Sequence, residues 1–174
     1  KLMNKLCYEI INGQGGNGDE QRIEGLMTQA TTLQSYTTTT FADRVGEAVS
    51  AQASIGFQPN LIVVNPETWF AQIATAKTET EKSYLFGSPA SPLPPALWNL
   101  PVVLEPSMAA DSALIIDTSY VTLLDRERFS VLLSNSHGDN FVKNLITILA
   151  ELRAGLEVLH DGAVVKVEAE VSSV

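Results

Sequence analysis

FVKNLITILAELRAGLEVL, residues 141–159, is the stretch whose reading decides the fold. At helical period, Phe141, Leu145, Ile148, Leu149, Leu152, Leu156 and Leu159 form one apolar stripe. At period two, Val142, Ile146, Ile148, Ala150, Leu152, Ala154, Leu156 and Val158 share a face that only Asn144 interrupts. Lys143, Glu151, Arg153 and Glu157 then fall on the opposite face. Propensity favours a helix in the second half, whereas Gly155 and the β-branched first half favour a strand. Composition alone leaves both readings open.

Working outward, SNSHGDN (134–140) reads as a turn that delivers the chain into this run. Upstream, short strands are expected at Val102–Glu105, Ala113–Asp117, Val121–Asp125 and Phe129–Ser134, separated by turn residues. GSPASPLPPALWNLP (87–101) holds five of the eight prolines and reads as an ordered loop without regular structure. Trp98 within it is expected to anchor the loop by burying apolar area against the core. Leu61–Val64 is a strand of buried type. Asn65 and Pro66 then supply an N-cap and first helical position for TWFAQIATAK. FADRVGEAVSAQASI follows the N-cap Thr40, with Phe41, Val45, Ala48, Val49 and Ala53 on one face and Gly56 at the C-terminus. TTLQSYTTTT reads as a surface loop, and Ile23–Met27 as a short extended piece. Leu2, Leu6 and Ile10 mark a helix that stops at Asn12-Gly13. It begins without a cap, as the tail of a longer helix in a larger protein would.

The formal charge of −9 and pI near 4.6 exclude a surface built to grip nucleic acid, which needs clustered Lys and Arg. Cys7 is the only cysteine, so no intrachain disulfide forms. No apolar run reaches membrane-spanning length.

The candidate chemistry is thin. Gly13-x-Gly15-x-x-Gly18 matches a dinucleotide fingerprint formally. A helix tail precedes it where a strand belongs, and Asp19 and Glu20 sit where phosphate charge should be. His137 and Asp139 make an acid–base or metal pair on paper, yet their spacing is ordinary turn composition. His160 stands apart in its own LHDG turn. No GxSxG elbow presents a serine. Asp125, Arg126, Glu127 and Arg128 alternate in sign as a solvated strand turn does. In an extended chain Asn144 and Glu151 lie roughly 23 Å apart on opposite faces, so they cannot share a site within one subunit. No catalytic residue, metal site or cofactor is expected.

PPALWNLPVVLEPSMAADSALIID (94–117), followed by YVTLLDRERFSVLLSNSHGDNFVKNLITILAELRAGLEVLHDGAVVKV (120–167), resembles the C-terminal part of tailed-bacteriophage major capsid proteins. That family has the Hong Kong ninety-seven-type fold, which encapsulin shells share. LWNLPVV stands for a Leu-Trp-Gly-Leu-Pro-Val-Val segment, with Asn99 replacing the usual glycine. LIVVNPETWFAQIATAK fits the family's strand-Asn-Pro-helix unit. The leading helix, Gly-rich loop and EGLMT resemble the end of its spine helix and the turn after it.

The resemblance implies an α+β phage capsid fold and makes residues 141–158 extended. It implies an axial α/β domain over 35–133. A peripheral domain is built from both chain ends, 1–34 with the spine-helix end and 134–174 with long strands. The N-terminal arm, an extended loop and most of the spine helix are expected before Lys1, leaving this fragment a monomer or weak small oligomer. Some members cross-link a loop lysine to an asparagine with a glutamate assisting. Asn144 and Glu151 are the weak candidates for that intersubunit site.

The implied function is a non-enzymatic structural subunit of an icosahedral phage or prophage shell. It partners with itself in hexamers and pentamers and encloses DNA without binding it specifically, with no membrane contact. It is made in the bacterial host cytoplasm and ends in the virion capsid. The alternative is an encapsulin-like compartment holding a protein cargo. A third reading, an α/β enzyme using the Gly-rich loop, is separated from both by a nucleotide-binding assay.

Overall fold

The structure, a computed structural model, describes residues 2–16, 22–32, 40–76, 84, 87–88, 91–92 and 94–168. Gly18, Asp19 and Glu20, most of the threonine tract, and Lys77 at the expected end of a helix lie outside the described residues.

A six-stranded mixed sheet organises the chain, in the order β1-β10-β7-β2-β6-β5. Its centre is apolar on both faces. β7 (Ser112–Ile116) is buried throughout, antiparallel to β2 (Leu61–Val64) on one side and to β10 (Val164–Glu168) on the other. β6 (Leu100–Leu104) runs parallel to β2, and β5 (Ala96–Leu97) closes one edge. β1 (Thr31–Thr32) closes the other edge, parallel to β10.

Alternation sends Ala113 and Ile115 of β7 to one face, with Ile62 and Val64, against Phe41, Val45 and Ala48 of helix α3 (Phe41–Ser54). Leu114 and Ile116 face the other way. There they meet Ile11 of α1 (Leu2–Asn12), Leu26 of α2 (Leu26–Gln29) and Met108. A sheet covered by helices on both faces needs continuous apolar strands, and LIVV and ALII supply them.

α3 starts where the sequence places it: Thr40 is its N-cap and its hydroxyl accepts from the Asp43 N–H at 3.3 Å. Gly56 follows in the left-handed region, φ +96°. The buried stripe differs from the expected one, with Arg44 buried and Val49 only half-buried. Gln52, not Ala53, is enclosed, because its amide reaches the Gly162 and Ala163 carbonyls at 3.1 and 2.7 Å. Asn65 caps α4 (Pro66–Thr68), which continues as a π-helical turn over Trp69–Ala74.

Ile23–Met27 is not an extended piece. Glu24 makes a single bridge to Gln14, and the chain then turns into α2. Backbone proximity dictates this. Gly25 N–H donates to the Gly13 carbonyl at 2.8 Å and Gly15 N–H to the Ile23 carbonyl at 3.1 Å, folding the Gly-rich loop back on the end of α1.

The proline-rich stretch is also more regular than its composition suggests. Gly87–Ser88 (β3) pairs with Ser91–Pro92 (β4), and β5 pairs with Leu100-Pro101. Prolines are tolerated because these ladders are short, β3–β4 forming a separate two-stranded pair and β5 lying at the edge of the main sheet. The β5–β6 turn has Trp98 and Asn99 at φ +52° and +63°, the type I′ geometry of a two-residue hairpin. Asparagine tolerates that conformation, so Asn99 serves in place of glycine. Trp98 anchors the turn, as its indole N–H donates to the Ala42 carbonyl at 2.7 Å. The expectation of burial fails: Trp98 is 53% exposed, and Leu97 beside it fills the core. Gly46 leaves room for the ring, since a Cβ there would stand 2.6 Å from Trp98 Cε2.

Asp117 ties strand β7 to its surroundings. Burial pushes its carboxyl upward. Hydrogen bonds from the Gln58 and Ser119 backbone N–H groups and the Ser119 side chain outweigh this, so its pKa lies below the ordinary 3.8. A group depressed in the folded state stabilises fully above its unfolded pKa and stops doing so as pH falls through the folded value. Asp117→Asn is therefore expected to lower stability by a constant amount from neutral pH down to about pH 5. That difference should shrink below pH 3.8, as read from denaturant melts across pH.

Candidate functional site

Beyond Ile116 and before Val164 the chain leaves the sheet as one long ribbon, β8 (Val121–Ser134) paired antiparallel with β9 (Thr147–Val158). Val121↔Val158 opens the ladder and Ser134↔Thr147 ends it. The two strands expected at Val121–Asp125 and Phe129–Ser134 are thus one. Register shifts between Asp125 and Ser130 absorb the charged middle, and Glu127 pairs across the ribbon with Arg153 at 3.2 Å.

The choice at residues 141–159 falls to the strand for Thr147–Val158, where Leu152, Ala154, Leu156 and Val158 are half-buried and Arg153 and Glu157 exposed. Residues 141–146 depart from it. Lys143 N–H donates to the Asp139 carbonyl and Leu145 N–H to the Asn140 carbonyl, so a helix-like turn forms the tip.

The base of the ribbon is packed, with Val121, Leu156 and Val158 lying against the second core cluster. The outer half is not. Phe129, Val131, Leu132, Leu133, Ile148 and Leu149 are exposed, and the tip adds Phe141 at 78% and Val142 at 86%. Opposed residues share a face. Leu132 and Leu149 therefore stand on one side, and Val131, Leu133, Ile148 and Ala150 on the other. Both faces are apolar and neither is covered by this chain's core. A two-stranded ribbon is marginal in water on its own, and a contiguous apolar surface of this kind marks an interaction site. The signal was present in the sequence as apolar residues at both odd and even positions of 129–133 and 145–149.

Between α1 and β9 runs an open groove of about 1040 Å³, walled by Leu2, Leu6, Ile23, Leu149 and Leu152 and rimmed by Lys5 and Arg126. Glu151 lies half-buried in its wall, opposite Ser130 in the ladder. Asn144 is exposed in the tip turn at φ +53°. The alternation argument for this pair fails at Asn144, which is outside the strand. Asn144 instead lines a small cavity of about 320 Å³ with Asn140 and Phe141, away from the Glu151 groove.

The other candidates fall apart as chemistry. Asp139 pairs with Lys143 at 3.2 Å on an exposed turn, and His137 is exposed two residues before it. His160 caps a short 3-10 turn through Nδ1, which accepts from the Gly162 N–H at 3.2 Å, and its ring lies 5.0 Å from Phe57. Gly13 is a packing position in the loop described above, and Gly15 a left-handed one at φ +69°. Among the described residues no cluster of His, Cys, Asp and Glu can hold a metal ion.

The phage capsid family model matches residues 1–169. The chain is 31% identical over 174 residues to the major capsid protein of Enterobacteria phage HK97, covering 95% of this chain and 45% of that protein. It thus spans less than half the length of that curated relative. In fold it is similar to the capsid of an empty GTA particle, with TM-score 0.72, 18% identity, 96% of this chain and 64% of that one covered. It is also similar to the SrpI encapsulin of Synechococcus elongatus, with TM-score 0.65, 15% identity, 97% of this chain and 61% of that one. The α+β architecture, the ordered motifs and a family match over nearly every residue converge, and the chain belongs to the phage capsid family.

Proposed function

We propose that the chain is part of a structural subunit that tiles a phage or prophage capsid shell. The observation that carries this is the ribbon: apolar on both faces over its outer half, packed only at its base, in a chain of the phage capsid family. Copies of the subunit are its partners, arranged as hexamers and pentamers, and symmetry-related burial of the ribbon is its work. The subunit performs no catalysis. The charge of −9 suits a wall that encloses DNA without trapping it. The subunit is made in the host cytoplasm and resides in the virion capsid. An axial part over 35–133 and a peripheral part over 1–34 and 134–174 fit this reading with two adjustments: β1 and β10 join the axial sheet, and the ribbon starts at Val121. Asn144 is the position at which a bond to a neighbour's lysine is to be sought, with Glu151 as the assisting carboxylate, by mass spectrometry of the denatured assembled product.

Electron microscopy of the complete gene's product tests the proposal, and its co-purifying contents separate the DNA-filled shell from the encapsulin-like alternative. Absence of closed shells under all conditions sinks both. Leu133, 68% exposed, gives a sharper test. Leu133→Asp should leave the unfolding free energy within about 0.5 kcal/mol of wild type in denaturant melts. It should cut shell yield at least ~10-fold, because an unpaired charge is buried at each contact.

A further inference from the structure

From Ser83 to Leu104 the sequence carries no charged residue, in a chain that is 18% charged. The described part of this run, residues 94–104, forms the β5–β6 edge of the sheet and the turn at its end. It exposes Pro94, Pro95, Trp98, Pro101, Val103 and Leu104. We infer that this uncharged rim is a second contact surface between copies of the chain, separate from the ribbon, with Trp98 as its anchor.

The occupant follows from charge. Two copies, each at −9, repel wherever their acidic surfaces face one another. The approach that costs least is through a surface without charge, whereas a basic partner would select an acidic one. Interface cores are depleted of charge and enriched in tryptophan in the same way.

The mode of contact follows from the prolines. Pro94, Pro95 and Pro101 have no N–H to offer, and the Val102 N–H is already bonded to the Pro95 carbonyl at 3.0 Å. Strand addition at this end of the edge is therefore blocked, and side-chain packing remains. Trp98 is prepared for it. The bond to Ala42 and the seat over Gly46 fix the ring before any partner arrives, while half its surface stays in water. This inference rests on the shell-subunit reading and names a surface for it.

The test uses the complete gene's product, with shells counted by electron microscopy and sedimentation. Val103 is 45% exposed and, opposite Val63, projects from the face of the edge away from α3 and Trp98, so Val103→Glu charges the back of the rim without entering the core beneath α3. It should reduce shell yield at least ~10-fold while the melting temperature stays within about 2 °C. Ser50→Glu, on the exposed side of α3, adds the same charge elsewhere and should assemble as wild type does. Trp98→Phe, which keeps an aromatic ring without the Ala42 bond, should assemble less well than wild type and better than Trp98→Ala. If wild type and Val103→Glu form shells equally, or if Ser50→Glu fails as badly, the rim contact is wrong and the shell reading stands. If wild type forms no shells, the shell reading itself falls.

Discussion

Leu114→Ala is expected to lower the unfolding free energy by about 2–5 kcal/mol, the range for deleting a buried leucine. Leu114 is fully enclosed on the middle strand of the sheet, facing Ile11, Leu26, Met108 and Val164. Those neighbours belong to α1, α2, β10 and the loop before β7, so the void cannot close by moving one side chain. A domain's total stability is about 5–15 kcal/mol, so the loss takes a large share of it. Urea melts would show a lower midpoint at unchanged slope. A shift of less than about 1 kcal/mol would mean that the helices α1 and α2 do not pack on this face as described.

Gly25→Ala should be comparably severe for the opposite reason. A Cβ at Gly25 would stand 2.5 Å from the Gly13 nitrogen and 2.6 Å from the Ile11 carbonyl oxygen. At Gly13 the corresponding atom is the Ile23 carbonyl oxygen at 2.1 Å. Both obstacles are backbone, so no rotamer change relieves them. Overpacking costs typically about 1–3 kcal/mol, and more where the backbone must move. The Gly25–Gly13 hydrogen bond breaks as well, adding about 1 kcal/mol. Gly15→Ala is the internal control. It has only the Glu24 side chain near it, at 3.8 Å, so its loss should be confined to the strain of a left-handed alanine. Equal melts for Gly25→Ala and Gly15→Ala would show that the loop does not cross itself as drawn.

Much of the sheet was legible because its signals are local. Thr40, Asn65-Pro66 and Gly56 fix helix ends by side-chain chemistry and φ preference, and LIVV and ALII announce themselves as doubly covered strands. Residues 141–159 were not decidable that way. Apolar residues occur at both periods, and the strand prevails at Thr147–Val158 because β8 supplies a pairing partner, which no window of the sequence displays. The same run read as all strand misses the tip, where Asp139 and Asn140 carbonyls capture the N–H groups of Lys143 and Leu145. Trp98 illustrates the converse error. A large apolar side chain suggested burial, yet its place in a two-residue turn leaves it half in water. The Gly-rich loop resembled a phosphate cradle by composition, whereas Gly13 and Gly25 answer to backbone crowding between Ile11, Gly13 and Ile23, and Gly15 to a left-handed turn.

The position of β10 has a consequence for how the chain is made. Val164–Glu168 lies between β7 and β1, pairing with residues 112–116 on one side and with Thr31-Thr32 on the other. On the ribosome, β7 is complete and apolar on both faces long before its neighbour has been synthesised. Its open edge must wait for the last strand of the sheet while the entire ribbon is translated in between. Contacts between segments so distant in sequence slow folding, and exposed strand edges invite pairing with other nascent chains. The sheet can therefore close only after the ribbon and β10 have both emerged from the ribosome.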